Sequence, residues 1–170
     1  TPIDLSFHHN AGVAITGLLG SGKSKLAAIL FGLSQPEAGS VTLEGAPDAP
    51  GSPMDAIRAG VFMCPKDRAA NAVIPDFDIT DNITLPFLRH HANLSFLNPA
   101  KLRATADRMI ETLGIVCQGN ADGITTLSGG NQQKVMVGRW LSQPSRVLVL
   151  DEPFLGVDIK ARRDIGDHIR

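Results

Sequence analysis

Cysteine is scarce in this chain of 170 residues: there are only two, Cys64 and Cys117, far apart and outside any Cys-x-x-Cys or Cys/His cluster. Neither a zinc site nor a disulfide framework is indicated, and both thiols are expected to be reduced, as in cytosol. An excess of charge of either sign is also missing. Sixteen Lys and Arg stand against seventeen Asp and Glu, a net charge of -1, so there is no general cationic field to hold nucleic acid or anionic lipid. Long apolar runs are lacking. Nothing approaches the roughly 18 uninterrupted residues of a membrane span, and the N-terminus lacks the basic-then-apolar plan of a signal peptide. Internal repeats, low-complexity tracts and long coiled-coil heptads are absent as well. What remains is an ordinary globular composition, 43% hydrophobic and 19% charged, in a chain long enough to bury about 70% of its unfolded surface. Because the sequence begins at Thr1 and stops at Arg170 within an amphipathic stretch, Ile159 to Arg170, that reads as a helix, we expect it to be a piece of a longer polypeptide.

The hydrophobic pattern alternates between strand and helix periods. Ile3 to Phe7 reads as an edge strand and Gly12 to Thr16 as a short buried strand before a glycine cluster. A helix follows from about Gly22, with Leu26, Ile29, Leu30 and Leu33 at helical spacing and a close at Gln35 to Gly39. Ser40 to Leu43 is a further strand, Gly45 to Pro53 a surface loop, and Gly60 to Cys64 a buried strand ending at Pro65. From Lys66 to about Leu127 the texture becomes helices and loops without convincing strands. Asn98 caps a helix there, with Pro99 at its first position, Leu102, Met109, Ile110 and Leu113 on one face, and Gly114 as its stop. Another helix follows Ser128 and carries Val135, Met136, Trp140 and Leu141, with Trp140 read as buried packing. Arg146 to Leu150 reads as a fully buried strand ending in Asp151-Glu152-Pro153. The expected fold is α/β with a mainly parallel sheet, its core spanning 1–65 and 143–170. A helical subdomain spanning 66–142 is inserted in it.

Three segments carry chemistry. Gly17-Leu18-Leu19-Gly20-Ser21-Gly22-Lys23-Ser24 fits G-x-x-x-x-G-K-[ST] between a strand and a helix. The glycines let backbone N–H groups curl round a phosphate at the positive end of a helix. Lys23 reaches the β and γ phosphates, and the Ser24 hydroxyl ligates Mg²⁺. Asp151, at the end of an apolar strand, is the second candidate Mg²⁺ ligand, and Glu152 beside it is the candidate base that polarises an attacking water. The third segment, Leu127 to Lys134 (LSGGNQQK), is a serine and two glycines opening a helix, a second anion site. One triphosphate is already wrapped by the first loop, so the second suits a nucleotide held by another copy or domain. The adjacent pairs His8-His9 and His90-His91 cannot turn both rings to one side, so they read as ordinary surface or core residues. The apolar run Ile83 to Leu97 reads as core and loop before interface.

With these segments in order, the chain resembles the nucleotide-binding domain of ATP-binding cassette (ABC) transporters. Gly17 to Ser24 matches that family's Walker A loop, Leu127 to Lys134 its LSGG signature, Val147 to Glu152 its Walker B strand with the catalytic glutamate, and Gly156-Val157-Asp158 its D-loop. LSGGNQQK, DEPFLGVD and Lys66-Asp67-Arg68 are most similar to the second of the two fused cassettes of bacterial monosaccharide importers. The resemblance implies a phosphate-loop NTPase core of RecA-like type, with ATP and Mg²⁺ as cofactors and the backbone of Lys25 extending the nucleotide loop. It places Ser128, Gly129, Gly130 and Gln132 against the opposite nucleotide and Asp158 in the D-loop. It also implies transmembrane permease subunits and a second cassette as partners, no nucleic acid, and a peripheral position on the cytoplasmic face of the bacterial inner membrane. The family's Q-loop glutamine falls at Lys66 here, as is common in second cassettes of sugar importers. By the same resemblance the adenine-stacking aromatic lies before Thr1 and the switch histidine after Arg170. His168 is then a solvated helix residue, and the isolated chain is expected not to hydrolyse ATP alone. Two functions follow: a cassette that binds and hydrolyses Mg-ATP at a cassette–cassette interface to drive uptake of a simple sugar, or a degenerate regulatory cassette that binds nucleotide and supports dimerisation. An ABC-type ATPase acting on chromosomes or ribosomes is disfavoured by the neutral charge and the missing heptads.

Overall fold

In the computed structural model the described residues are 3–18, 20–47, 50–66, 73–94, 96–153, 159, 162, 163 and 166. The element that organises the site is a parallel strand pair. β3 (Val61–Cys64) lies beside β6 (Val147–Leu150) in the register Val61↔Val147, Phe62↔Leu148, Met63↔Val149 and Cys64↔Leu150. Parallel neighbours need a long crossover, and here the whole helical middle of the chain supplies it. β3 is buried along its length, whereas β6 is only partly buried, not fully as its apolar run suggests. The reason lies at its open edge. Gly12 to Thr16, the expected neighbouring strand, forms no ladder, and neither does Ile3 to Phe7. Every described residue from 3 to 18 is exposed, Val13 and Ile15 included. An alternating pattern becomes a strand only where a partner edge takes its hydrogen bonds.

Helix α1 (Lys23–Leu30) packs on β6 through Ala27. It ends earlier than its apolar spacing suggests, so Leu33 is exposed while Phe31 turns into the core. The expected strand at 40–43 shrinks to β1 (Thr42–Leu43), which forms a hairpin with β2 (Ala46–Pro47). Helix α2 (Pro53–Ala59) follows, unanticipated although Ser52-Pro53-Met54-Asp55 carries a full start signal. Ser52 Oγ accepts from Asp55 N–H at 3.3 Å, and proline occupies the first helical position.

The central region holds α3 (Ile79–Thr84), a 3₁₀ segment Leu85–His91, a short hairpin of β4 (Ala92–Asn93) and β5 (Phe96–Leu97), α4 (Pro99–Leu113), a 3₁₀ turn Ile124–Thr126 and α5 (Gly129–Leu141). The hairpin is a small departure from the expected strandless texture. α4 is capped as its sequence requires, Asn98 Oδ1 accepting from Ala100 and Lys101 N–H at 3.0 and 3.2 Å. The run Ile83 to Leu97 divides, with Ile83 and Phe87 buried and Leu94, Phe96 and Leu97 exposed. Residues Ile159, Arg162, Arg163 and Gly166 have helical backbone, while the rest of the expected C-terminal helix, His168 included, falls outside the described residues.

Two apolar clusters result. One gathers Phe31, Phe62, Phe87 and Trp140, with Phe62 5.1 Å from Phe87 and 5.7 Å from Trp140 between ring centres. The other packs Ile79 and Ile83 of α3, Met109 and Leu113 of α4 and Val135 of α5. Opposite faces of α5 serve the two clusters, so this helix fastens the strand pair to α3 and α4.

Candidate nucleotide-binding site

The glycine loop before α1 is shaped by its sequence. Ser21 N–H donates to Leu18 O at 3.1 Å. Gly22 caps the helix at φ 91, a left-handed angle that admits glycine readily, and offers no side chain of its own to the first-turn N–H groups. Those donors are left for a ligand. At Gly17 a Cβ would lie 2.6 Å from Ser21 Oγ and 3.1 Å from Ser21 Cβ, so a larger residue there would make the Ser21 side chain turn away. Lys23 folds back over the loop, its ammonium donating to Gly17 O at 2.8 Å. Gly20, Ser21 and Leu18 are exposed around it, as is Ser24 in the first turn of α1. The Lys25 ammonium turns away to Glu37 Oε1 at 2.5 Å, holding that carboxyl below its usual range. Leu19 is outside the described residues.

At the end of the strand pair the ladder runs one residue beyond β6: Asp151 N–H donates to Cys64 O at 3.0 Å. The Asp151 side chain is half-buried. Together with desolvation it raises the Cys64 thiol to about 12, burial being the larger cause, so that sulfur stays neutral and is no nucleophile. Glu152 sits at φ 50 and pairs with Lys66, Nζ to Oε2 at 3.0 Å. Lys66, Asp151 and Glu152 are thus brought together at the C-terminal end of the strand pair, and α1 packs on β6, the strand that leads into Asp151 and Glu152.

Ser24 Oγ and the Asp151 carboxylate are each hard oxygen donors of the kind that suits Mg²⁺, an ion that keeps waters and takes phosphate oxygens. Among the described residues no group of three or more His, Cys, Asp or Glu could hold a metal ion. A divalent ion at Ser24 and Asp151 therefore needs the phosphates of a ligand.

The glycine-rich start of α5 is more firmly built. Ser128 caps it, and its Oγ accepts from Asn131 Nδ2 at 3.0 Å, while Asn131 Oδ1 takes the N–H of Val116 at 3.0 Å. The amide of Gln132 is used inside the chain, donating to the carbonyls of Ile124 and Leu127 at 3.2 and 3.1 Å. Gly129 and Gly130 complete the first turn. Gln133 is a contributor that the motif concealed. Buried on the next turn, it donates from Nε2 to Pro153 O at 2.5 Å and so ties α5 to the turn bearing Glu152. Its position one turn past the glycines was the only available signal. Gly156, Val157 and Asp158, like Asp67 and Arg68, are outside the described residues.

The family model described as ABC transporter matches residues 1–155. The chain belongs to the ABC transporter family. It is 39% identical over 168 residues to the arabinose import ATP-binding protein AraG of Rhizobium etli, covering 98% of this chain and 34% of that protein. It is 42% identical over 164 residues to the ribose import ATP-binding protein RbsA of Cereibacter sphaeroides, covering 95% and 33%. The chain thus spans about a third of the length of these ABC relatives. Among solved structures, a dimeric ATP-binding cassette in a post-hydrolysis state bound to ADP and Pi superposes with a TM-score of 0.74 at 22% identity, over 89% of this chain and 65% of that one. The fold is that of an ABC cassette, a phosphate-loop α/β fold.

Proposed function

We propose that this chain is part of the ATPase subunit of an ABC importer for a simple sugar, binding and hydrolysing Mg-ATP where two cassettes meet. The observation that carries the reading is the packing of α1 on β6. A glycine loop with open N–H groups and Lys23 caps α1, and α1 packs on the strand that ends in Asp151 and Glu152. The relatives named for arabinose and ribose import support the transported class.

In this reading Gly17, Leu18, Leu19, Gly20, Ser21, Gly22 and Lys25 give backbone N–H groups to the phosphates. Lys23 exchanges the Gly17 carbonyl for phosphate oxygen, trading a neutral acceptor for a charge-assisted one. Ser24 and Asp151 would hold Mg²⁺, which would supply positive charge against the phosphoryl oxygens. Glu152 accepts the proton of the attacking water. Ser128, Gly129, Gly130 and Gln132 present the start of α5 to the nucleotide of a second cassette, with Asp158 at the same interface. The strand pair and α1 belong to a core of 1–65 and 143–170, and 66–142 form the helical subdomain. Among the described residues no helix is long and apolar enough to cross a membrane. Attachment to the cytoplasmic face of the bacterial inner membrane would come through permease subunits.

The test is Mg-ATP calorimetry on the intact subunit. Lys23→Ala is expected to abolish binding at this site. Unchanged binding would remove the glycine loop from the nucleotide site.

A further inference from the structure

The strand register decides what stands beside the base. Cys64 is opposite Leu150, and the ladder continues through Asp151 N–H to Cys64 O. The residues two places beyond each strand, Lys66 and Glu152, therefore emerge as cross-strand neighbours, and their side chains meet at 3.0 Å. The backbone of the glutamate is fixed from a different direction. Glu152 occupies the left-handed region at φ 50, a conformation that costs a non-glycine residue energy, and the carbonyl of the next residue, Pro153, is taken by buried Gln133. Its side chain is about one-third exposed, and among the described residues Lys66 is its single polar partner. One carboxylate oxygen, Oε2, is thus held, while Oε1 meets no partner among the described residues.

We propose that Lys66 is a positioning residue for Glu152, holding Oε2 so that Oε1 meets the attacking water. This rests on the reading of Glu152 as the base. Lysine stands where the family resemblance leads one to expect glutamine, and in this register the exchange puts a cation directly on the base. Two consequences of that cation oppose one another. Its charge draws on the lone pairs that attract water, an effect of about fivefold at most in a pair this exposed. Loss of orientation costs far more, since a displacement of about 1 Å lowers turnover about a hundredfold. Removing the lysine should therefore slow the site.

The experiment is steady-state ATP hydrolysis by the assembled transporter, where the turnover that Glu152→Gln removes measures this site's share. Lys66→Met is expected to lower that share about tenfold in kcat with KM for ATP unchanged, Lys66→Arg to recover it to within about threefold, and Lys66→Met combined with Glu152→Gln to equal Glu152→Gln alone. Mg-ATP calorimetry of Lys66→Met, giving wild-type affinity, checks that the site has folded. Wild-type kcat in Lys66→Met, a rise in KM in place of the fall in kcat, or a further loss in the Glu152→Gln background would each overturn the role of Lys66 and leave the base intact. Unchanged turnover in Glu152→Gln would overturn the base, and Lys66 with it.

Discussion

The two glycine-rich helix starts of this chain are built to opposite standards. The loop before α1 is exposed, bordered by a segment with no strand partner, and closed by the bond from Lys23 to Gly17 O. The start of α5 is braced by Asn131 and Gln132, and the helix behind it is buried, with Lys134 donating to Gly114 O at 3.0 Å and Arg139 to Asn82 O at 2.5 Å. Under the proposed function the difference fits two tasks. A loop that wraps its own triphosphate gains order from the ligand, whereas a surface offered to a nucleotide on another cassette must be shaped beforehand, because ordering during association subtracts from affinity.

The contrast breaks most severely at Asn82. Its side chain, itself fully buried, accepts from Arg139 and from Ile74 N–H and donates to Ile74, Phe77 and Asp78 carbonyls. Desolvation already lowers the Arg139 pKa to about 10. Asn82→Ala should cost about 3 kcal/mol or more, seen as a drop of about 6 to 12 °C in the thermal midpoint by circular dichroism. Gln133→Leu should come next, at about 1 to 3 kcal/mol, because it strands the Pro153 carbonyl. Faster amide exchange around residues 151–153 would report it. Lys23→Ala should change stability least, by about 1 kcal/mol or less, although it is expected to remove nucleotide binding. If Lys23→Ala destabilised the chain as much as Asn82→Ala, the loosely held loop would be a misreading.

Alkali offers a separate probe of the strand pair. The Cys64 pKa is raised by folding to about 12 from an ordinary thiol value of 9.0. Its contribution to stability is therefore complete below pH 9 and lost as the pH rises through 12. Iodoacetamide at pH 8 should leave Cys64 unmodified in the native chain and label the less buried Cys117 first, as read by peptide mass.

Local signals were legible in the sequence. The G-x-x-x-x-G-K-S loop, the Asn98-Pro99 and Ser128 helix starts, and the apolar run ending in two carboxylates are each set by neighbours within a few residues. Features made by distant partners were not legible. Gly12 to Thr16 alternates like a strand yet finds no ladder, and Leu33 keeps the helical spacing of α1 but lies beyond its end. The start signal at Ser52-Pro53 was local and was overlooked among the glycines and prolines around it. Lys66 could be noticed only as an unexpected residue, because its pairing with Glu152 depends on a register between strands far apart in sequence. Gln133 was hidden for the same reason, its acceptor being Pro153.

The most direct test of the account is phosphate release by the assembled transporter carrying Glu152→Gln, with Mg-ATP binding followed in parallel. The account predicts that binding is retained and that this site's turnover is lost. Retained binding with wild-type turnover would contradict it, leaving a cassette that holds nucleotide while the chemistry is done elsewhere.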